Sequence, residues 1–358
     1  MISILLWSLV GILALLPISG LIYRALCQRR ISKTLAIQTP NGITEGLFVT
    51  IDKTEQWIQI RGEARTNPIL LIVHGHGISL AAFTPLFRSW ERHFTIVQWD
   101  RRGVGKTMSR NGKAGSDSWT FERLAQDGIE VAEFLCQHLH QNKVILLGLS
   151  QGSVIGLLMA RHRPDLFQAY IGTGQIVDML RNETVSYQTV SERARIQHNT
   201  RALKALTSIG APPYQDVRTW LIKQRWGTST DPESKASQGR FSRMLLFAPD
   251  YSLRDVYHAF SDVLFLPQPL YEEYMAFDAR SLGTKFELPF FIFQGDFDVQ
   301  TPTALAEAYF ATIEAPTKEL VLLKDGGHMA LLTRSELFLK NLLSYVHSQA
   351  FANHSLLP

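Results

Sequence analysis

Six short apolar runs recur along the chain beyond residue 67: PILLIV, FTIVQW, KVILLG, AYIGTG, PFFIFQ and ELVLL. Runs of this length with so few polar positions have no face to offer water. They are expected as strands buried on both sides of a parallel sheet. Longer stretches with helical spacing separate them, at residues 121–139, 154–163, 303–313 and 334–350. Strand and helix in alternation predict an α/β fold with a mostly parallel central sheet. Ahead of it, the TPNG turn and the alternating segments GLFVTI and QWIQIRG predict an antiparallel hairpin reached through a linker that starts at residue 34. The alternation lapses between residues 176 and 284, where TVSERARIQHNTRALKAL and VRTWLIKQRWG look helical. Strands resume afterwards, so this stretch is expected to be a helical lid inserted into one core. The expected organisation is a membrane anchor and basic flank over 1–33, core over 34–175, lid over 176–284 and the rest of the core over 285–358.

The anchor rests on residues 2–23, which contain no Asp, Glu, Lys or Arg. As a helix rising about 1.5 Å per residue they would reach about 33 Å, against a hydrocarbon core of about 30 Å. A cleaved signal peptide wants bases before its apolar stretch; here Arg24, Arg29, Arg30 and Lys33 follow it. Charge behind the helix predicts a single-pass protein of the cell membrane with its body in the cytoplasm. The same four bases account for the whole net charge of +4, since the other 32 basic residues balance 32 acidic ones. A neutral body gives no long-range field for a polyanion, which excludes a nucleic-acid partner. Only Cys27 and Cys136 occur, without metal-ligand spacing, which disfavours zinc ribbons and redox chemistry, and no cofactor is expected.

Gly148-Leu149-Ser150-Gln151-Gly152 carries the sharpest chemical signal, because it follows the run KVILL and precedes the helical SVIGLLMARH. A serine on such a strand-to-helix turn is held clear of the sheet, and small flanking residues let the backbones approach. A serine at its free pKa also needs a base, itself oriented by an acid. After PFFIFQ comes Gly295-Asp296-Phe297-Asp298, and after ELVLLKD comes Gly326-Gly327-His328. Both are strand-end loops, where open α/β sheets bind ligands. Ser150 is thus the expected nucleophile, His328 the base and Asp298 the acid, with Asp296 as the alternative acid. His138, His140, His347 and His354 carry no special context. The turn His74-Gly75-His76-Gly77 would supply backbone N–H groups to an oxyanion, together with the N–H of Gln151. His74 and His76 suggest a metal only weakly, with no third ligand cluster in view. The segment from Asp100 to Thr107 fails as a phosphate loop because Asp100 stands where its first glycine belongs.

In this order the motifs HGHGIS, DRRGVGKT, GLSQGS, GDFDVQTP and GGHM resemble the α/β-hydrolase superfamily, and within it the prolyl iminopeptidase-like branch, over about residues 45–350. The resemblance implies an α/β-hydrolase fold, Ser150, Asp298 and His328 as the triad, and the N–H groups of His76 and Gln151 as the oxyanion hole. It makes Asp100 and Arg102 braces of loops beside the site. Two positions depart from that branch: HGHGI replaces HGGPG, and Gln151 replaces a tryptophan that often follows the nucleophile. Both positions are expected to line the pocket, which weakens the transfer of proline specificity. The branch grips a substrate amino group with lid glutamates, for which Glu183, Glu272 and Glu273 are candidates by location, while Trp220, Trp226, Phe260, Phe265 and Tyr271 could shape an apolar pocket. The expected activity is hydrolysis of a peptide or ester bond in a small molecule or short peptide through an acyl-enzyme. An iminopeptidase-like aminopeptidase stands ahead of a carboxylesterase, with a non-catalytic binding protein as the other class. Dehalogenase and epoxide hydrolase chemistry is disfavoured, since those relatives carry Asp on the turn.

Overall fold

In the computed structural model the backbone is described for residues 2–354 except 78 and 115, and the side chains for residues 17–345 except 78, 115 and 117. The chain opens with helix α1 (Ile2–Leu35), which runs on well past the expected end of the anchor. Most of the predicted span lies outside the residues whose side chains are described. Among the described residues no helix is long and apolar enough to cross a membrane.

Strands β1 (Ile43–Ile51) and β2 (Thr54–Gly62) form the antiparallel hairpin, and β3 (Ile69–Val73), β4 (Thr95–Asp100), β5 (Val144–Leu149), β6 (Phe167–Thr173), β7 (Phe290–Gly295) and β8 (Lys318–Leu323) are the six apolar runs. They form one sheet in the order β1-β2-β4-β3-β5-β6-β7-β8, parallel from β4 onward. Burial on both faces is visible in β3. Ile69, Leu71 and Val73 pack into the core with helices α3 (Phe121–Leu139) and α4 (Gln151–His162), while Leu70 and Ile72 join Trp90 and Phe338 on the other side. The short α2 (Gly105–Asn111) follows β4, α11 (Thr303–Thr312) joins β7 to β8, and α12 (Ala330–Thr333) with α13 (Ser335–His354) close the chain. Strand order reverses at β3, which lies between β4 and β5, so the loops after β3 and β5 open a crevice at the carboxyl edge of the sheet.

Between β6 and β7 lie helices α5 (Met179–Ile196), α6 (Thr200–Ile209), α7 (Val217–Thr230), α8 (Pro232–Leu246), α9 (Leu253–Ser261) and α10 (Gln268–Met275). Their starts are written locally. The side chains of Asp178, Asn199, Asp216 and Asp231 each accept an N–H of the first turn, and Ser252 with Asp255 forms a capping box. TVSERARIQHNTRALKAL, expected to be helical, forms parts of two helices. His198 takes a positive φ of 53°, and Asn199 caps α6 by accepting from the Ala202 N–H at 3.0 Å. Two of this segment's contacts with the core join it to the turns after β3 and β4. His76 Nε2 lies 3.0 Å from the Val263 carbonyl oxygen, and the Gly105 N–H donates to Asp262 at 3.0 Å.

Candidate active site

The turn after β5 forces Ser150 to φ 53° and ψ −124°, a conformation that costs an ordinary residue free energy and is held by its surroundings. A methyl group on Gly152 would sit 2.0 Å from the Val73 carbonyl oxygen, and one on Gly148 would sit 2.7 Å from that of Gly152. No side chain fits at either position. Ser150 stands at the head of α4, so its Oγ projects over the crevice, with Gly75 packed against it.

The loops after β7 and β8 bring the other two predicted residues to this serine. His328 Nε2 lies 3.0 Å from Ser150 Oγ, and His328 Nδ1 lies 2.9 Å from Asp298 Oδ2. With the proton on Nδ1 the imidazole donates to the carboxylate, which leaves Nε2 free to accept from the serine hydroxyl. Asp298 is buried and well supplied with donors: the N–H groups of Gln300 and Thr301 at 2.9 Å, the Thr301 hydroxyl at 2.6 Å and the Gln294 amide at 3.1 Å. The alternative acid does not face the histidine. Asp296 accepts from the N–H groups of Asp325 and Gly326, both at 3.1 Å, so it braces the loop that carries His328.

Gly75 and His76 lie on the other side of the serine, at the end of β3. His74 is buried and His76 half-buried, and loss of hydration pulls their pKa values down, to about 3 for His74 and about 4 for His76, with the Arg101 charge adding to the effect. Among the described residues no cluster of three potential ligands for a metal ion occurs. Sequence reasoning missed Arg101. Its buried guanidinium donates to the Gly75 carbonyl oxygen and to the Gln151 side chain, tying together the two backbone segments that carry the expected oxyanion donors. Its partners lie far off in sequence, so no local pattern could have marked it. Burial lowers its pKa to about 10. Arg102 instead pairs with Asp127 and Asp52, and Asp100 accepts from the Lys106 N–H at 2.8 Å; both brace loops.

A cavity of about 950 Å³ opens over Ser150 and His328. The lid supplies most of its wall, including Trp220, Leu221, Phe241, Phe260, Phe265 and Tyr274. Of the other aromatic candidates, Tyr271 is buried behind the wall, where its hydroxyl donates to the Tyr214 carbonyl oxygen, and Trp226 packs within the lid. Glu183 reaches the cavity, but it is buried with Lys223 Nζ 2.5 Å away and accepts from the Trp220 indole and the Gln224 amide. The other lid glutamates point elsewhere. Glu273 accepts from the Phe121 N–H at the head of α3, and the exposed Glu272 accepts from Gln268.

A sequence profile of the alpha/beta hydrolase fold matches residues 68–335. The probable aminopeptidase YbaC of Bacillus subtilis (strain 168) is 28% identical over 304 residues, which cover 82% of this chain and 93% of that protein. Among solved structures, a membrane phospholipase A described as a bacterial virulence factor superposes with a TM-score of 0.59 at 16% identity, covering 95% of this chain and 98% of its own. The proline iminopeptidase-related protein of Thermus thermophilus superposes at 0.54 with 18% identity, covering 84% and 96%. At these identities the two structures speak to the fold alone.

Proposed function

We propose, from the premise that this chain belongs to the alpha/beta hydrolase fold family, that it is a serine hydrolase acting on carboxylic esters with a bulky apolar acyl group. The hydrolase class follows from the family; the nucleophile and the bond are our reading. The observation that carries it is the continuous line from Asp298 through His328 to Ser150 at the floor of the cavity, with steps of 2.9 and 3.0 Å. In this mechanism His328 Nε2 takes the Ser150 proton as Oγ attacks the substrate carbonyl carbon. The negative oxygen that forms lies against the N–H groups of His76 and Gln151. His328 then passes its proton to the departing alcohol, leaving an acyl-serine. Water, deprotonated by the same imidazole, releases the acid and restores the serine. A fluorophosphonate probe tests the nucleophile. One label per chain, absent in Ser150→Ala, is the expected result; no label on folded protein would support a binding protein without chemistry.

The choice of ester over aminoacyl amide rests on Glu183. Among the described residues it is the acidic side chain lining the cavity, and Lys223 neutralises it. A substrate ammonium entering here would leave water without an unpaired carboxylate to meet it. The second reading, removal of an N-terminal residue from a short peptide, draws its support from the similarity to YbaC. Proline and alanine amides set beside butyrate and longer acyl esters separate the two, and turnover of the amides alone would reverse our order.

The reading includes the anchor. Residues 2–23 carry no charge, residues 17–23 of α1 are exposed, and Arg24, Arg29, Arg30 and Lys33 follow. A helix that is apolar all round is suited to lipid. We place the chain as a single-pass protein of the cell membrane with its body in the cytoplasm, where a polybasic flank meets anionic headgroups.

A further inference from the structure

The lid carries an apolar stripe that nothing among the described residues covers. Leu253, Tyr257, Phe260 and Leu264 are spaced four, three and four residues apart, and so share one side of α9 and the turn that extends it. They are 52%, 68%, 52% and 66% exposed, whereas Val256, on another side of the helix, is buried against the core. Scattered apolar side chains at a surface need no explanation, but a row of four large ones does. Phe260 and Leu264 also line the cavity over Ser150, so the stripe forms part of its mouth. The two acids of the segment are engaged elsewhere: Asp255 closes the capping box at Ser252, and Asp262 accepts from Gly105.

The location of α1 says what meets this stripe. Arg24 donates to the carbonyl oxygens of Leu246 and Tyr251 at 2.9 and 2.6 Å, and Gln28 to those of Ala248 and Tyr251 at 2.7 and 3.0 Å. Tyr23 packs edge-on against Phe247 with ring centres 5.8 Å apart. The anchor helix is thus clamped to the loop that leads directly into α9. It leaves that loop with Ile18, Leu21, Ile22 and Tyr23 all more than half exposed. The bases Arg29, Arg30 and Lys33 lie within about a turn and a half of Gln28 along α1, a placement that suits anionic headgroups.

We propose that α9 and the turn after it lie on a lipid bilayer, with the Leu253, Tyr257, Phe260 and Leu264 stripe in the boundary between headgroups and acyl chains. The cavity then draws its acyl substrate from the lipid phase and not from water. The contact has the form of an amphipathic helix in the interface plane, here fixed in place by a neighbouring anchor. The delivery half of this inference rests on the ester reading above; the lipid contact does not.

The test uses the full-length chain reconstituted into vesicles of phosphatidylcholine and phosphatidylglycerol. In Tyr257→Trp, lipids brominated on their acyl chains should quench fluorescence beyond the quenching of the unsubstituted chain. In the double variant Leu253→Ser with Tyr257→Ser, which spares the cavity wall, turnover of a bilayer-embedded long-chain ester should fall about tenfold relative to a water-soluble butyrate ester, whose rate stays unchanged. Absence of excess quenching overturns the proposal whatever the rates. Quenching with an unchanged ratio overturns the delivery of substrate from lipid. Cross-linking of two chains through Tyr257→Cys would show a second copy on the stripe, and overturns it as well. If no ester is turned over while the tryptophan introduced in the first variant is quenched, the lipid contact stands and the ester reading fails.

Discussion

At the scale of single residues, the proposed mechanism requires groups that act as one. Ser150→Ala and His328→Ala should each remove nearly all turnover, and the double variant should be hardly worse than either. Steady-state rates check this, and strictly additive losses would mean the two residues do not share a step. The carboxylates divide by geometry. Asp298 is 2.9 Å from the imidazole, whereas Asp296 meets only backbone N–H groups of the neighbouring loop. Asp298→Asn should therefore cost kcat far more than Asp296→Asn, by roughly a hundredfold or more, because a neutral amide no longer fixes the tautomer that the serine needs. The reverse order would move the acid two residues upstream. Gly152→Ala answers a different question. Its methyl group would lie 2.0 Å from a strand carbonyl oxygen, so the turn must open or the sheet shift, at about 3 kcal/mol. A thermal midpoint close to that of the native chain would show that the turn yields more easily than the geometry indicates.

Between elements, the lid reaches into the histidine loop. Glu233, in the first turn of α8, accepts the Gly327 N–H at 2.6 Å and the Thr333 hydroxyl, and lies 3.7 Å from Arg334. The lid thereby holds the residue next to His328. Glu233→Ala should lower kcat roughly tenfold with KM little changed, and should slow fluorophosphonate labelling in parallel, while Glu233→Gln keeps an acceptor and recovers part of the rate. A change in KM alone would make Glu233 a substrate contact. Another link between lid and core is the half-buried His76, 3.0 Å from the Val263 carbonyl oxygen. Its folded pKa is depressed to about 4 from 6.5, so between those values the unfolded chain binds more protons. The stability from keeping this ring neutral is present above pH 6.5 and is lost as pH falls toward 4, at about 1.4 kcal/mol per unit. His76→Gln, which retains a donor for Val263, should flatten the acid side of a melting-temperature profile. An unchanged slope would show that His76 does not titrate in this window.

For the whole molecule, α1 joins the proposed anchor to the lid, and the point of truncation matters. Removing residues 1–33 takes away Arg24 and Gln28 and so uncovers the loop at residues 246–251. Removing 1–16 leaves these contacts in place. The shorter cut should release an active protein from membranes, whereas the longer one should yield a body of lower thermal stability with altered substrate preference. With the proposed apolar anchor, the full chain should resist extraction by salt or alkaline carbonate and yield to detergent. Release by salt alone, or digestion of the body by a protease added outside, would contradict the anchor or its orientation.

Periodicity in the sequence determined much of this architecture. Five of the six apolar runs became strands covered on both faces, whereas β8, at the edge of the sheet, is buried only at Leu323 because no further strand flanks it. Ser150, Asp298 and His328 were legible because each lies in a turn that follows an apolar run, and a parallel sheet carries all such turns to one edge. What lies between distant segments was not legible. The pairing of Glu183 with Lys223, the clamp of Arg101 on Gly75 and Gln151, the hold of Glu233 on Gly327 and the clasp of Arg24 and Gln28 on the lid all join segments well apart in sequence. No local pattern encodes such contacts. A glutamate in a helical lid reads the same whether it faces water, a substrate or a lysine, and only the packing of α5 against α7 decided that Glu183 meets the lysine.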